Sequence, residues 1–133
     1  MAIYSPEFFH GYTYSAHPSA CVAALATLKI YSDENLFFQS SEMCKYFEDG
    51  IHSLKKAPIV VDIRNLGMLG AIELREVNDY IGCISLEVHY RCFSKGLLVC
   101  HTGNSITISP PLIASYQDID KIVDTLGVVL HSF

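Results

Sequence analysis

Charged residues are scarce in this chain. Only 17% of its 133 residues are charged, below the roughly 25% of an ordinary soluble domain, whereas half are hydrophobic. We therefore expect some apolar surface to meet a partner rather than water. Nine Lys plus Arg stand against fourteen Asp plus Glu, a net charge of −5, and no basic cluster exceeds the adjacent pair Lys55 and Lys56. This balance argues against nucleic acid or an anionic membrane as partner.

Paired cysteine motifs and membrane or export signals are also missing. The five cysteines form no Cys-x-x-Cys pair, no signal-peptide pattern is present, and no apolar run approaches the roughly eighteen residues of a membrane span. We expect a reduced, cytoplasmic protein. At 133 residues the chain is long enough for one domain that buries roughly two-thirds of its unfolded surface.

Hydrophobic periodicity predicts helices and short strands in a definite order. A helix over about 18–31 has apolar residues at steps of three and four, and its alanines indicate close packing. The remaining elements are helices over 35–54, 86–94 and 116–130, and strands over 59–63, 69–74, 97–100 and 106–108. This order predicts an α/β fold, an α+β sandwich with helices on one face of a small, mostly antiparallel sheet.

The most informative stretch is the polar turn that precedes the first helix. Gly11 permits a tight backbone turn, Thr13 and its neighbours offer consecutive hydroxyl donors, and Pro18 suits a first helical position. These features predict a phosphate-binding loop over residues 1–15. The residues alone leave open the alternative that the turn is only a structural cap for the helix.

Four segments in a fixed order carry a resemblance to a known family. They are FFHGYTYSAHP (8–18), VDIRNLGMLGAIEL (61–74), KGLLV (95–99) and GNSITISPPL (103–112). They resemble the C-terminal small domain of class III, pyridoxal-phosphate-dependent aminotransferases, in particular the ω-amino acid (β-alanine) pyruvate aminotransferases. The resemblance implies the small domain of the fold-type-I transferase fold. Those enzymes run to several hundred residues, so the large cofactor domain is expected to be absent from residues 1–133.

The resemblance also divides the chemistry of such an enzyme. The lysine that holds the cofactor lies upstream of this segment in the family, and the six lysines here are interpreted as surface charge. No catalytic residue is therefore assigned. The resemblance implies that Thr13, with the backbone of Tyr12, binds the pyridoxal 5′-phosphate (PLP) phosphate of a neighbouring subunit in a dimer. We expect the isolated chain to bind no cofactor stably and to be inactive.

One position departs from the family pattern. Family members that use a carboxylate-bearing acceptor carry an Arg directly after Gly-Leu-Leu-Val, and Cys100 stands there. A thiol cannot replace the forked donors of a guanidinium. His101 is expected to point to the opposite face of the strand, and Arg64 is expected to be structural. Cys100 thus marks a substrate-binding position whose carboxylate contact is in doubt.

Three alternatives compete with this interpretation. A zinc site from His89, Cys92, Cys100 and His101 has spacings that match no common metal module. A serine or cysteine hydrolase would need a nucleophile motif that the sequence lacks. The serious alternative is a non-catalytic remnant or protein-interaction module that keeps the small-domain fold. Whether the chain is part of an aminotransferase or such a module, we expect self-association or a complex with a chain that carries the cofactor domain.

Overall fold

A computed structural model describes residues 11–76 and 81–133 of the chain. The described part contains four helices, one 3₁₀ turn and four strands. They are α1 (Pro18–Asp33), α2 (Leu36–Ser53), the 3₁₀ turn Leu54–Lys56, β1 (Val60–Leu66), β2 (Leu69–Leu74), α3 (Cys83–Ser94), β3 (Cys100–Thr102), β4 (Ser105–Ile108) and α4 (Tyr116–Leu130). The chain divides into two compact units, Met1–Asn35 and Leu36–Phe133. Residues 1–10 of the predicted phosphate loop, which include the first three residues of the segment 8–18, lie outside the described part.

The first unit contains α1. The helix begins at Pro18, as the sequence predicts, and ends before Asn35, whose φ of 51° lies in the left-handed region. No residue of α1 is buried, and Leu25 and Leu28 are 67% and 61% exposed, so the close packing that its alanines indicate is not made within the described residues. Periodicity correctly indicated an apolar face. It carried no information about whether anything covers that face.

The second unit is built on a four-stranded sheet in the order β1-β2-β4-β3, with every neighbouring pair antiparallel. The β1–β2 hairpin turns at Gly67, whose φ of 57° favours glycine. Ile63, Ile72 and Ile106 face one another in register and are at most 5% exposed. One face of the sheet therefore belongs to the hydrophobic core.

Helices α2, α3 and α4 contribute to the same core. Phe47 and Ile51 from α2, Val88 from α3 and Leu126 from α4 are all fully buried in the cluster that contains the three isoleucines. This arrangement confirms the predicted fold, with helices on one face of a small antiparallel sheet. The alternate strand residues point away from the helices and form the second face, called the outer face below.

Local contacts fix the start of α4 and join this helix to α2. Ser115 and Asp118 form a capping box at the N-terminus of α4, and the hydrogen bonds from Ser115 lower the pKa of Asp118. The Tyr46 hydroxyl donates a hydrogen bond to Asp120, which raises the pKa of Tyr46. These contacts place α2 beside α4 and hold both against the core.

Gly70 is required by close packing between β2 and α2. A Cβ at this position would lie 2.8 Å from the Ile51 Cδ1 atom and 3.1 Å from the Phe47 ring. Both neighbours are fully buried, so neither can move without disturbing the core.

We expect Gly70→Ala to lower the free energy of unfolding by about 1–3 kcal/mol through overpacking. Gly127→Ala is the matched control, because its added methyl would meet Leu54 at 3.4 Å in a helix interior. The control should be neutral or stabilising by about 0.5–1 kcal/mol. Urea unfolding followed by circular dichroism measures both changes. Equal stability of Gly70→Ala and the parent chain would contradict the packing argument.

Candidate functional site

The loop before α1 folds as two consecutive turns. The Tyr12 amide donates to the Ser15 hydroxyl at 2.6 Å, and the Ser15 amide donates to the Tyr12 carbonyl at 3.0 Å. The His17 amide then donates to the Tyr14 carbonyl at 3.2 Å. The Ser15 hydroxyl thus already accepts from the Tyr12 amide, which is the backbone donor expected to bind a phosphate. An anion at that amide has to displace the serine hydroxyl.

Thr13 lies at the apex of these turns. Its side chain is exposed and makes no hydrogen bond within residues 11–76 and 81–133. The adjacent side chains of Tyr12 and Tyr14 are 86% and 83% exposed. The hydroxyl of Thr13 can therefore donate to a ligand without breaking a hydrogen bond to the described part of the chain.

The N-terminus of α1 follows directly. His17 makes no side-chain capping bond, and the first turn of the helix carries no acidic residue. The amides of this turn and the positive end of the helix dipole are thus left without a side-chain acceptor. A dianionic phosphate is a suitable partner for such an end when a hydroxyl donor lies nearby. The residues present fit a phosphate contact.

Cys100 lies in a row of side chains across the outer face of the sheet. The strand register pairs Cys100 with Thr107, Thr107 with Ala71, and Ala71 with Arg64. Paired residues of antiparallel strands share a face, so these four side chains project together. Sequence reasoning singled out Cys100 but missed Thr107, because finding it needs the register of the β3–β4 hairpin.

His101 projects to the other side of the sheet. It pairs with Ile106, which pairs with the buried Ile72 of the core face. The predicted opposite orientation of Cys100 and His101 is confirmed. His101 therefore cannot replace the charge that Cys100 lacks on the outer face.

The surroundings of Cys100 are uncharged. It lines a cavity of about 180 Å³ together with Leu98, Thr107, Ser109 and Pro110, and none of the ten lining residues is charged. The cation in the same row is Arg64, whose backbone lies three strands away, or about 14 Å at the usual strand spacing. It lines a neighbouring cavity of about 370 Å³ that shares Thr107 with the Cys100 cavity. Its guanidinium donates to the Glu73 carboxylate at 3.0 Å, in keeping with the expected structural role. The cavity around Cys100 offers a carboxylate no cationic partner.

Neither the lysines nor the suspected metal ligands assemble a reactive centre. All six lysines are exposed, and Lys29 and Lys45 each pair with an aspartate one helical turn away. Among the described residues no cluster of three or more metal-ligating side chains exists. The four residues of the alternative zinc site, His89, Cys92, Cys100 and His101, do not form one cluster. Cys92 lies in the core, whereas Cys100 lies on the outer face of the sheet.

The five thiols differ sharply in accessibility. Cys21, Cys83 and Cys100 are exposed, Cys44 is half-buried and Cys92 is buried. Burial raises the pKa of Cys92 to about 11, so its thiolate is scarce at neutral pH.

No helix of the described residues is long and apolar enough to cross a membrane.

We expect the three exposed thiols to react rapidly with a disulfide reagent, Cys44 more slowly, and Cys92 only after unfolding. Counting released chromophore in native buffer and in denaturant measures this, and mass spectrometry of the labelled peptides assigns each site. Rapid labelling of Cys92 in the native protein would contradict its position in the core.

Comparison with known proteins decides the family. The model of the class-III aminotransferases matches residues 1–130. The chain belongs to this family. It is 47% identical over 124 residues to an omega-aminotransferase of Caulobacter vibrioides, covering 93% of this chain and 28% of the relative. It is 38% identical over 125 residues to a beta-alanine–pyruvate aminotransferase of Pseudomonas aeruginosa, covering 94% and 28%.

Solved aminotransferase structures share the fold. An omega transaminase of Pseudomonas jessenii matches with a TM-score of 0.85 and 27% identity, covering 94% of this chain and 29% of that structure. An adenosylmethionine-8-amino-7-oxononanoate aminotransferase of Methanocaldococcus jannaschii matches with a TM-score of 0.84 and 30% identity, covering 95% and 30%. The expected transaminase fold is confirmed. The chain spans about 28% of the length of its curated class-III relatives.

Proposed function

We propose that this chain is the C-terminal part of a PLP-dependent ω-amino acid–pyruvate aminotransferase and completes an active site whose cofactor domain lies elsewhere. The observation that carries the proposal is the class-III match over residues 1–130, with relatives named for this reaction. The complete enzyme would move an amino group from a primary amine donor to pyruvate. In such an enzyme PLP supplies an electron sink for the carbanion formed when the donor loses a proton.

The contribution of this chain to cofactor binding is the phosphate contact. Thr13 would donate its free hydroxyl to a phosphate oxygen, and the uncapped end of α1 would add the field of its dipole. The Tyr12 amide would join after Ser15 releases it. In a dimer this phosphate would belong to the neighbouring subunit.

The contribution to substrate binding is the outer face around Cys100. A cavity with no charged lining residue gives the carboxylate of pyruvate or of an amino acid no ion pair. Amines and aldehydes without a carboxylate need no ion pair at this cavity, so its neutral lining does not weaken their binding. We propose that the complete enzyme handles such substrates comparatively well.

Partners follow from the exposed apolar residues. The α1 face with Val22, Leu25 and Leu28 is exposed in the first unit. Its cover in the complete protein would be a second copy or a cofactor-domain chain, in the cytoplasm. The alternative function, a non-catalytic module with the same fold, uses the same apolar face without cofactor chemistry.

The phosphate contact is tested in a chimera that joins residues 8–133 to the large domain of a competent class-III aminotransferase. We expect Thr13→Val to weaken PLP binding by about 10- to 150-fold, since a hydrogen bond to a charged group contributes about 1.5–3 kcal/mol. Thr13→Ser keeps the hydroxyl and should bind as the parent chimera does. Fluorescence titration of the cofactor measures both. Equal affinity of the Val variant and the parent would reject the assigned role.

A further inference from the structure

His89 and His101 come together on the side of the sheet away from Cys100. Their ring centroids lie 5.2 Å apart, although twelve positions separate them in sequence. His89 projects from α3 and is half-buried, whereas His101 projects from the edge strand β3 and is exposed. The aminotransferase function uses neither ring. Both residues belong to the second unit, so their separation is set within one body.

The His89 ring is held in one orientation. Its Nδ1 lies 2.7 Å from the Val99 carbonyl oxygen, which can only accept, so Nδ1 donates and, in the neutral ring, Nε2 carries the lone pair. A histidine that anchors one ring nitrogen on a carbonyl and presents the other is the usual arrangement of a metal ligand. The carbonyl bond thus fixes the tautomer that metal binding requires.

The separation of the rings suits one shared ion. A metal about 2.1 Å from a ring nitrogen lies about 3.2 Å from that ring's centroid. When each ring directs a nitrogen at the same ion, centroids 5.2 Å apart subtend an angle of about 109° at the metal, the tetrahedral value. Because His101 is exposed, its ring can rotate to direct a nitrogen at an ion bound to Nε2 of His89.

We propose that His89 and His101 form a two-histidine site for a first-row divalent cation such as Zn²⁺, Ni²⁺ or Cu²⁺. Imidazole nitrogen suits these ions, whereas Mg²⁺ and Ca²⁺ prefer oxygen. Residues 11–76 and 81–133 provide no third ligand, so water completes the coordination. The bound ion links α3 to the edge strand β3. This proposal is independent of the aminotransferase function.

The test uses the full chain with its three exposed thiols removed as Cys21→Ser, Cys83→Ser and Cys100→Ser, because thiolates also bind Zn²⁺. Isothermal titration with Zn²⁺ should give one ion per chain. ¹⁵N spectra of the histidine rings should show the shift of a coordinated nitrogen at His89 and His101. His131 should show none.

His101→Gln should weaken Zn²⁺ binding at least as much as loss of an outer-shell partner does, about 10- to 100-fold. His131→Gln is the matched control, because Nδ1 of exposed His131 also lies against a carbonyl, that of Gly127 at 2.8 Å, and no second histidine ring of the described residues contacts it. His131→Gln should bind Zn²⁺ as the parent does. The proposal would be overturned if His101→Gln bound Zn²⁺ with unchanged affinity. It would also be overturned if Zn²⁺ changed no ¹⁵N shift of the His89 ring. Because His101 is exposed, its substitution leaves the fold intact.

Discussion

Purified alone, residues 1–133 will show no transamination with PLP, a primary amine and pyruvate. The six lysines are all exposed and lie on helices, helix ends or turns of the described chain. Lys121 lines a cavity of about 310 Å³ beside Asp118, but the resemblance places the cofactor lysine of the family upstream of this segment. Without a positioned lysine and an acidic partner for the cofactor ring, the chain cannot direct the chemistry that PLP makes possible. We therefore expect no enzymatic transamination at all, rather than a reduced rate.

Borohydride reduction followed by peptide mass spectrometry measures lysine engagement. We expect low, distributed labelling over several lysines and a rate equal to that of free PLP with the amine. A complete class-III aminotransferase treated in parallel should label at one lysine and turn over. Stoichiometric labelling of a single lysine in residues 1–133, with turnover, would contradict the division of labour proposed here.

Cys100→Arg in the chimera will strengthen pyruvate binding by roughly thirty- to several-thousand-fold. The expectation follows from the uncharged cavity around Cys100, where a guanidinium would pair with the substrate carboxylate. Cys100 is exposed in this chain, and the large domain of the chimera would cover it. Loss of one partner of a buried ion pair changes binding by about 2–5 kcal/mol. Thr107, the cross-strand neighbour, adds a hydroxyl on the same face.

Steady-state kinetics with pyruvate and with a carboxylate-free aldehyde separate the two substrate classes. Only the pyruvate parameters should respond to Cys100→Arg. Cys83→Arg is the matched control, since Cys83 is also exposed but lies at the start of α3, away from the sheet row. An equal gain with both Arg variants, or no gain at Cys100, would show that the position does not face the substrate.

Elements with local signals were predicted well from sequence. Strand β2 and helix α4 have the predicted bounds, Leu69–Leu74 and Tyr116–Leu130. The alternation along β2 involves only residues that are close in sequence. The same holds for the Ser115 cap and the apolar stripe of α4. Burial of their apolar sides then follows from the sheet and helix periods.

Elements fixed by distant contacts were misplaced. β3 was expected over 97–100 but begins at Cys100, because the Leu97 amide donates to Cys92 and the Val99 carbonyl accepts from His89. Helix α3 begins three residues earlier than expected, at Cys83. The Gly82 amide before it donates to the side chain of Asn104, 22 positions away. Neither tertiary contact is visible in a local pattern.

The candidate site divides in the same way. The resemblance located Thr13 and Cys100, and strand alternation predicted that His101 points away from Cys100. The row that joins Cys100 to Thr107, and the pairing of His101 with His89, depend on hairpin register and helix packing. Side chains that meet across elements are set by tertiary structure, so the sequence alone could not place them together.

The central claim is that this chain completes a class-III active site whose carboxylate position is neutral. The decisive measurement is the ratio of kcat/KM for a carboxylate-free aldehyde to kcat/KM for pyruvate. It compares the chimera carrying residues 8–133 with its parent enzyme, whose residue at the position of Cys100 is Arg. We predict an active chimera whose ratio exceeds that of the parent by at least about thirtyfold. A folded chimera without activity, or one with an unchanged ratio, would contradict the claim.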